Sequence, residues 1–334
     1  MPIREEKPPW SAVTAAVRAE TERRLRSRVI RATRAYGGYA ASATFRLILD
    51  NGRRAFFKAG YPPPPGSAAI FPVDQEEKRY DALAPLVGRY MPKQYGSFRL
   101  ERWHVLLMED LGPATIPPWT TAKARAATRS YARFHRATRG RTLPRWLSRT
   151  QHGRFGVYWD RLAQSGRITA TATLAAKRED EAMEWLDVAL PLLREKEREL
   201  VGARPPFSLL HFDTRSDNIR LLKDRLVMFD WPFASVGPAE FDLAAFAQGV
   251  AAEGGPAEER IVEWYEELMP LRPNVIDGSV AGIAGLFADR APLPPLPGLP
   301  RLRSIQRRQL KASLAWAARR FELPEPGWLR AVRD

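Results

Sequence analysis

The chain has 334 residues, 45% hydrophobic and 27% charged, a balance that suits a folded globular protein with sizeable cores and excludes a wholly disordered chain or a fibre. It contains no cysteine, which rules out a disulfide framework, a thiolate metal site and a cysteine nucleophile, and fits a reducing cytoplasm. The net charge of +15, from 53 Lys and Arg against 38 Asp and Glu, attracts anions in general, but no zinc pattern or aromatic RNA-binding signature accompanies it, so nucleic acid is not the expected partner.

In chain order, MPIREEKPPW lacks the apolar core of a signal peptide. WSAVTAAVRAETERRLRSRV then reads as an amphipathic helix. RSRVIRATRAYGGYA leads through Gly37 and Gly38 into SATFRLILDNG, whose Asp50-Asn51-Gly52 turn hands over to RRAFFKAG: a glycine turn between strands, then a hairpin. YPPPPG at 61–66 is a stiff connector that can neither pair inside a sheet nor continue a helix. PVDQEEKRYDALAPLVGRY is a helix with Val73, Tyr80, Leu83 and Val87 on one buried stripe, and YGSFRLERWHVLLMEDLG is a second hairpin.

Beyond residue 115 the pattern is mainly helical, in TTAKARAATRSYARFHRAT, WDRLAQSG, EDEAMEWLDVALPLLREKERE, EFDLAAFAQGVAA, PAEERIVEWYEELM and IQRRQLKASLAWAARRF. PLPPLPGLP at 292–300 reads as a loop. The most apolar stretch, VAGIAGLFA, is far shorter than the ~18 residues needed to span a bilayer, so no membrane partner is expected. The division falls after the second hairpin, giving a small lobe over 1–111 and a large lobe over 112–334.

The chemistry concentrates in LLHFDTRSDNIRLLKDRLVMFDW, residues 209–231, which carries His211-x-Asp213-x-x-x-x-Asn218, two short apolar runs and then Asp230. A tight ribbon between the runs folds Asp230 back beside Asn218, offering two oxygen ligands to Mg²⁺, with Asp213 on the other side of the loop. Phosphoryl transfer needs little more from a protein: metal across the phosphates, a fixed cation, and a carboxylate for the acceptor's proton.

These residues resemble the catalytic and metal loops of the aminoglycoside phosphotransferase family, relatives of the protein kinases. The resemblance runs in order over about residues 30–250. It implies a two-lobed, protein-kinase-like α+β fold with an antiparallel-sheet small lobe and a helical large lobe, with ATP between them. It makes Asp213 the catalytic base, Asn218 and Asp230 the metal ligands, Lys58 the phosphate-gripping lysine and Glu76 its partner on the helix. Glu109 and Leu111 fall in the hinge whose backbone meets adenine, and Asp242 braces the catalytic loop. Gly37 and Gly38 stand where a nucleotide loop is expected, although the full G-x-G-x-x-G is absent. The loop also departs from the family, reading His-Phe-Asp-Thr-Arg where His-Gly-Asp-Leu-His is common, with Trp231-Pro232 after Asp230.

The implied activity is transfer of the γ-phosphate of ATP, with Mg²⁺, to a hydroxyl of a small molecule. The acceptor class stays open among aminoglycosides or other antibiotics, which would make the chain a resistance enzyme, and sugars, nucleoside-like compounds or amino alcohols resembling choline or homoserine. A catalytically silent, ATP-binding regulatory protein is the alternative from another class. Between Glu253 and Glu267 the chain carries six Glu against one Arg, which suggests an acidic patch for a cationic acceptor. His211 is expected to position the loop and His135 to be structural, while Arg215 and Asp217 are open between phosphate contact and an internal salt bridge.

Overall fold

The computed structural model describes residues 7–36, 42–60, 73–113, 115–149, 157–223, 225–297 and 299–334, and the side chain of residue 74 is outside that description. Gly37, Gly38, the 61–66 connector and His152 lie outside the described residues. The chain forms two compact units. One comprises Met1–Ala114, Val227–Pro232 and Pro295–Leu302; the other comprises Thr115–Leu226, Phe233–Pro294 and Arg303–Asp334.

In the first unit Thr14 caps α1 (Ala15–Leu25), its hydroxyl accepting the Val17 N–H, and Arg26 ends the helix in a left-handed conformation at φ 52°. Then come β1 (Val29–Arg34), β2 (Ala43–Leu49), β3 (Arg54–Gly60), α2 (Val73–Val87), β4 (Gln94–Leu100) and β5 (Trp103–Glu109). The five strands make one antiparallel sheet in the order β1-β2-β3-β5-β4. The β2–β3 hairpin closes where expected: the Arg53 N–H donates to Asn51 Oδ1 at 3.0 Å, and Gly52 takes a φ of 79° that a side chain would strain.

Period-two alternation sorts the sheet faces. Ala43, Phe45, Leu47, Leu49, Ala55, Phe57 and Ala59 form one core with Val13, Val17 and Leu25, and Trp10 meets Phe45 and Phe57 edge-on with ring centroids 5.0 and 5.3 Å away. The intervening residues, Thr44, Arg46, Phe56 and Lys58, therefore face the other way, with Thr44 directly opposite Lys58 in the β2–β3 register. On α2 the stripe Val73, Tyr80, Leu83 and Val87 is buried as the spacing predicted, and Glu76, one turn before Tyr80, is carried inside with it.

The second unit holds α3 (Thr121–Thr138), β6 (Ser148–Arg149), α4 (Tyr158–Gln164), α5 (Ile168–Ala172), α6 (Glu179–Val201), β7 (Ser208–Leu210) and β8 (Ile219–Leu222). The unit boundary falls inside the next strand, β9 (Arg225–Met228), which forms a ribbon with β8. β10 (Ser235–Gly237), α7 (Ala239–Ala252), α8 (Glu258–Glu266), α9 (Pro273–Arg290) and α10 (Leu302–Arg320) complete the chain. β10 pairs parallel to β6 and antiparallel to β7. The protein is thus α+β, with an antiparallel sheet in one unit and mainly helices in the other.

One long element escapes the sequence reading. VAGIAGLFA, taken only as an apolar stretch, lies in α9, which is buried over most of its length. A helix enclosed on nearly all sides has no polar face, so the 3.6-residue period that marks the other helices is missing. No helix among the described residues is long and apolar enough to cross a membrane.

Candidate active site

The first unit assembles a buried charge cluster. Lys58 Nζ lies 2.6 Å from Glu76 Oε2 and 3.0 Å from Asp230 Oδ1. Burial alone would lower the Lys58 ammonium, but the Asp230 and Glu76 carboxylates outweigh it and hold the ammonium above its ordinary range. Glu76 is pushed up to about 7, chiefly by burial and then by Asp230, against the pull of Lys58. Two carboxylates share one cation here. Asp230 itself takes a left-handed backbone at φ 65°, an uncommon conformation for a residue with a side chain.

Glu109 ends β5 opposite Ala55, with its N–H donated to the Lys93 carbonyl at 2.8 Å and its carboxylate accepting the Lys93 N–H at 3.1 Å. Leu111 follows the strand, partly exposed.

The second unit holds the loop between β7 and β8. Asp242, fully buried at the start of α7, accepts the backbone N–H of His211 on Oδ2 at 2.8 Å and that of Phe212 on Oδ1 at 2.7 Å. Its Oδ2 also meets His135 Nε2 at 3.1 Å, while His135 Nδ1 meets the Tyr265 hydroxyl at 2.7 Å. Since a carboxylate only accepts, His135 Nε2 donates its N–H to Asp242, and the Tyr265 hydroxyl also meets Met269 Sδ at 3.3 Å. Burial would raise the Asp242 carboxyl, but the bond from His135 and the surrounding charge hold it below its ordinary value.

The brace shapes the backbone at Phe212, which adopts φ 65°. Glycine, common in the resembling family, takes that conformation freely; a phenylalanine there is strained, and its ring packs on Phe241 with centroids 4.8 Å apart. The next residue is Asp213. Its N–H donates to His211 Nδ1 at 3.2 Å, so His211 positions the loop through its ring as well as its backbone.

Asn218 Nδ2 donates to Asp213 Oδ2 at 2.8 Å and to the Asp213 carbonyl at 3.0 Å. With its amide nitrogen engaged in this way, Asn218 has its oxygen to offer a cation. Arg215 Nε lies 3.2 Å from Asp213 Oδ1 and 3.3 Å from Asp217 Oδ1, an internal ion-pair cluster.

Two features have no counterpart in the motif reading. Glu253 reaches the loop, accepting from Ser216 Oγ at 2.8 Å and from Trp119 Nε1 at 2.8 Å, and no spacing rule marks it out. The glutamate run around α8 is largely matched by arginines. Arg319 holds Glu258 at 2.8 Å and Glu259 at 3.0 Å, Arg260 holds Glu263 at 2.5 Å, and Arg125 and Arg129 both hold Glu267. The acidic patch suggested by local composition is thus compensated, mostly by residues on α3 and α10.

The sequence matches the family described as the phosphotransferase enzyme family over residues 32–275. No curated protein matches the chain. Among solved structures it is similar to a spectinomycin phosphotransferase in complex with ADP and spectinomycin, at 12% identity and a TM-score of 0.56, covering 99% of this chain and 98% of the other. It is also similar to a choline kinase from Streptococcus pneumoniae, at 15% identity and a TM-score of 0.54 over 88% of this chain and 96% of that one. An aminoglycoside phosphotransferase from Alicyclobacillus acidocaldarius gives 14% identity and a TM-score of 0.52 over 91% and 86% of the two chains. These likenesses show the fold, and the match over 32–275 shows the family: the chain belongs to the phosphotransferase enzyme family, whose members phosphorylate hydroxyl groups of small molecules.

Proposed function

We propose that the protein transfers the γ-phosphate of ATP, with Mg²⁺, to a hydroxyl of a small molecule, in a cytoplasmic setting. The observation that carries this reading is the braced loop: Asp242 holds two consecutive N–H groups, the backbone turns at Phe212, and Asp213 follows with its carboxylate tied to Asn218. The Lys58–Glu76–Asp230 cluster supports it.

The residues present fit the groups this chemistry needs. Mg²⁺ is held by one or two protein oxygens together with phosphates, and the Asp230 carboxylate and the Asn218 amide oxygen are of that kind. Mg·ATP supplies the activated phosphoryl group and its charge neutralisation. Lys58, kept charged by its two carboxylates, binds α- and β-phosphate oxygens. Glu76 orients Lys58. Asp213 orients the acceptor hydroxyl and takes its proton, and Asn218 and Arg215 hold the Asp213 carboxylate in place until it does so. Glu109 and Leu111 offer backbone groups to adenine, and Gly37 and Gly38 are assigned to the phosphate side of the nucleotide.

The acceptor is a small hydroxylated molecule. The arginine-matched glutamate run gives no reason to favour a polycationic antibiotic over a sugar or a choline-like amino alcohol. The test is Mg²⁺-dependent ADP release across a panel of aminoglycosides and other antibiotics, sugars, nucleosides, choline and homoserine. Stimulation by one class, lost on removal of Mg²⁺, is expected; no stimulation by any class would overturn the proposal.

A further inference from the structure

Lys7 reaches the same sheet face as Lys58. It is 7% exposed, and its Nζ lies 2.7 Å from Thr44 Oγ1. Its carbonyl accepts from Arg34 Nη1 at 3.2 Å, and three residues later Trp10 is seated against Phe45 and Phe57 on the opposite face of the sheet. The N-terminal segment is therefore held on both sides of its path, and the lysine is placed rather than trailing. Thr44 in turn donates its hydroxyl to the Ala35 carbonyl at 2.8 Å, where β1 and β2 separate into the connection that carries Gly37 and Gly38.

Thr44 and Lys58 are direct partners in the β2–β3 register, so their side chains share a face with Cβ atoms roughly 5 Å apart. A second ammonium is thus anchored at the residue paired with Lys58 across the two strands, on the same face of the sheet. We propose that Lys7 is a second phosphate-binding cation of this protein, recognising the polyphosphate of a nucleotide together with Lys58. The inference rests on the phosphotransferase reading above and deepens it.

Electrostatics supply the reason. Lys58 stands between two carboxylates that share its charge, which weakens its pull on a polyphosphate. Lys7 adds a second positive charge to the same face. The sequence also lacks the full G-x-G-x-x-G that marks a phosphate-binding glycine loop, which leaves room for a cation from elsewhere in the chain.

The test is calorimetric binding of Mg·AMP-PNP, Mg·ADP and adenosine to the full chain and to Lys7→Met and Lys7→Arg, at low and high salt. Lys7→Met should weaken both phosphorylated ligands about tenfold, the scale of one charge-assisted hydrogen bond, and flatten their salt dependence. Adenosine binding should be unaffected, and Lys7→Arg should retain affinity. If Lys7→Met disturbs folding, Lys7→Gln keeps a donor to Thr44 and gives the same reading. Unchanged affinity for the phosphorylated ligands, or an equal loss for adenosine, would overturn the inference and leave the phosphotransferase proposal standing. Failure of the unaltered protein to bind any nucleotide would instead remove that proposal and this one together.

Discussion

Asp213 owes its place to His211, Asn218 and Arg215, and through His211 to the Asp242 brace. Replacing Asp213 by Asn keeps the shape and removes the proposed base, so turnover should fall by roughly 10²–10⁴-fold while nucleotide affinity, measured by titration, stays within a few-fold. Full turnover in Asp213→Asn would take it out of the mechanism. Asp242→Ala strikes the same loop from behind. It leaves the N–H groups of His211 and Phe212 and the proton of His135 without their buried acceptor, at a cost of about 1–3 kcal/mol for each unsatisfied group. The expected outcome is a large drop in thermal midpoint together with lost activity, whereas Asp213→Asn should lose activity with little change in midpoint. Lys58 and Asp230, 172 residues apart, form an ion pair that the motif order, which gave Lys58 to Glu76 and Asp230 to the metal, did not suggest; at Phe212 the departure from glycine was legible, but the left-handed backbone that strains it was not.

Among the elements, α9 shows how close packing constrains single positions. A Cβ on Gly278 would lie 2.4 Å from the Leu200 nitrogen and 2.7 Å from the Lys196 carbonyl, both backbone atoms of α6. Backbone cannot step aside as a flexible side chain does, so Gly278→Ala should destabilise the fold by about 1–3 kcal/mol or more in urea unfolding. Gly249, inside α7, is the counterpart: a Cβ there meets nothing within 4 Å. Gly249→Ala should stabilise by roughly 0.5–1 kcal/mol, since alanine loses less backbone entropy in a helix. Equal effects of the two substitutions would contradict the packing of α9 on α6.

Over the whole molecule, buried carboxyls set the response to pH. Glu197 on α6 accepts the N–H groups of Tyr158 and Trp159 at 2.7 and 2.9 Å, yet burial outweighs these bonds and raises it to about 7. Glu76 and Glu258 are raised to about 7 as well, again with burial as the largest cause. A carboxyl with a folded pKa above its unfolded value binds more protons when folded, so its stabilising contribution is full below about 4.5 and is lost as pH rises through about 7. Asp242 and Glu240, held below their ordinary values, act in the opposite sense at acid pH. The thermal midpoint should therefore be highest near pH 5 and decline toward pH 8, and Glu197→Gln should shallow that decline. A midpoint that rises between pH 5 and 8 would refute this balance.

The sequence by itself determined the antiparallel strands of the small sheet, because their faces differ and a period of two records that difference. It also determined the amphipathic helices such as α3 and α6, for the same reason at a period of 3.6, and the residue types that phosphoryl transfer calls for. Tertiary structure alone decided what depends on groups distant in the chain. α9 has no face turned to water, so its pattern is blank. The glutamates around α8 look acidic until Arg125, Arg129 and Arg319 meet them. His135 becomes part of the brace only when α3 and α7 come together. Residues Val227–Pro232, with Asp230 among them, join the N-terminal unit across more than a hundred residues of chain. Local periodicity reports what a segment shows to its surroundings; which partner stands opposite is fixed by the packing of the folded chain.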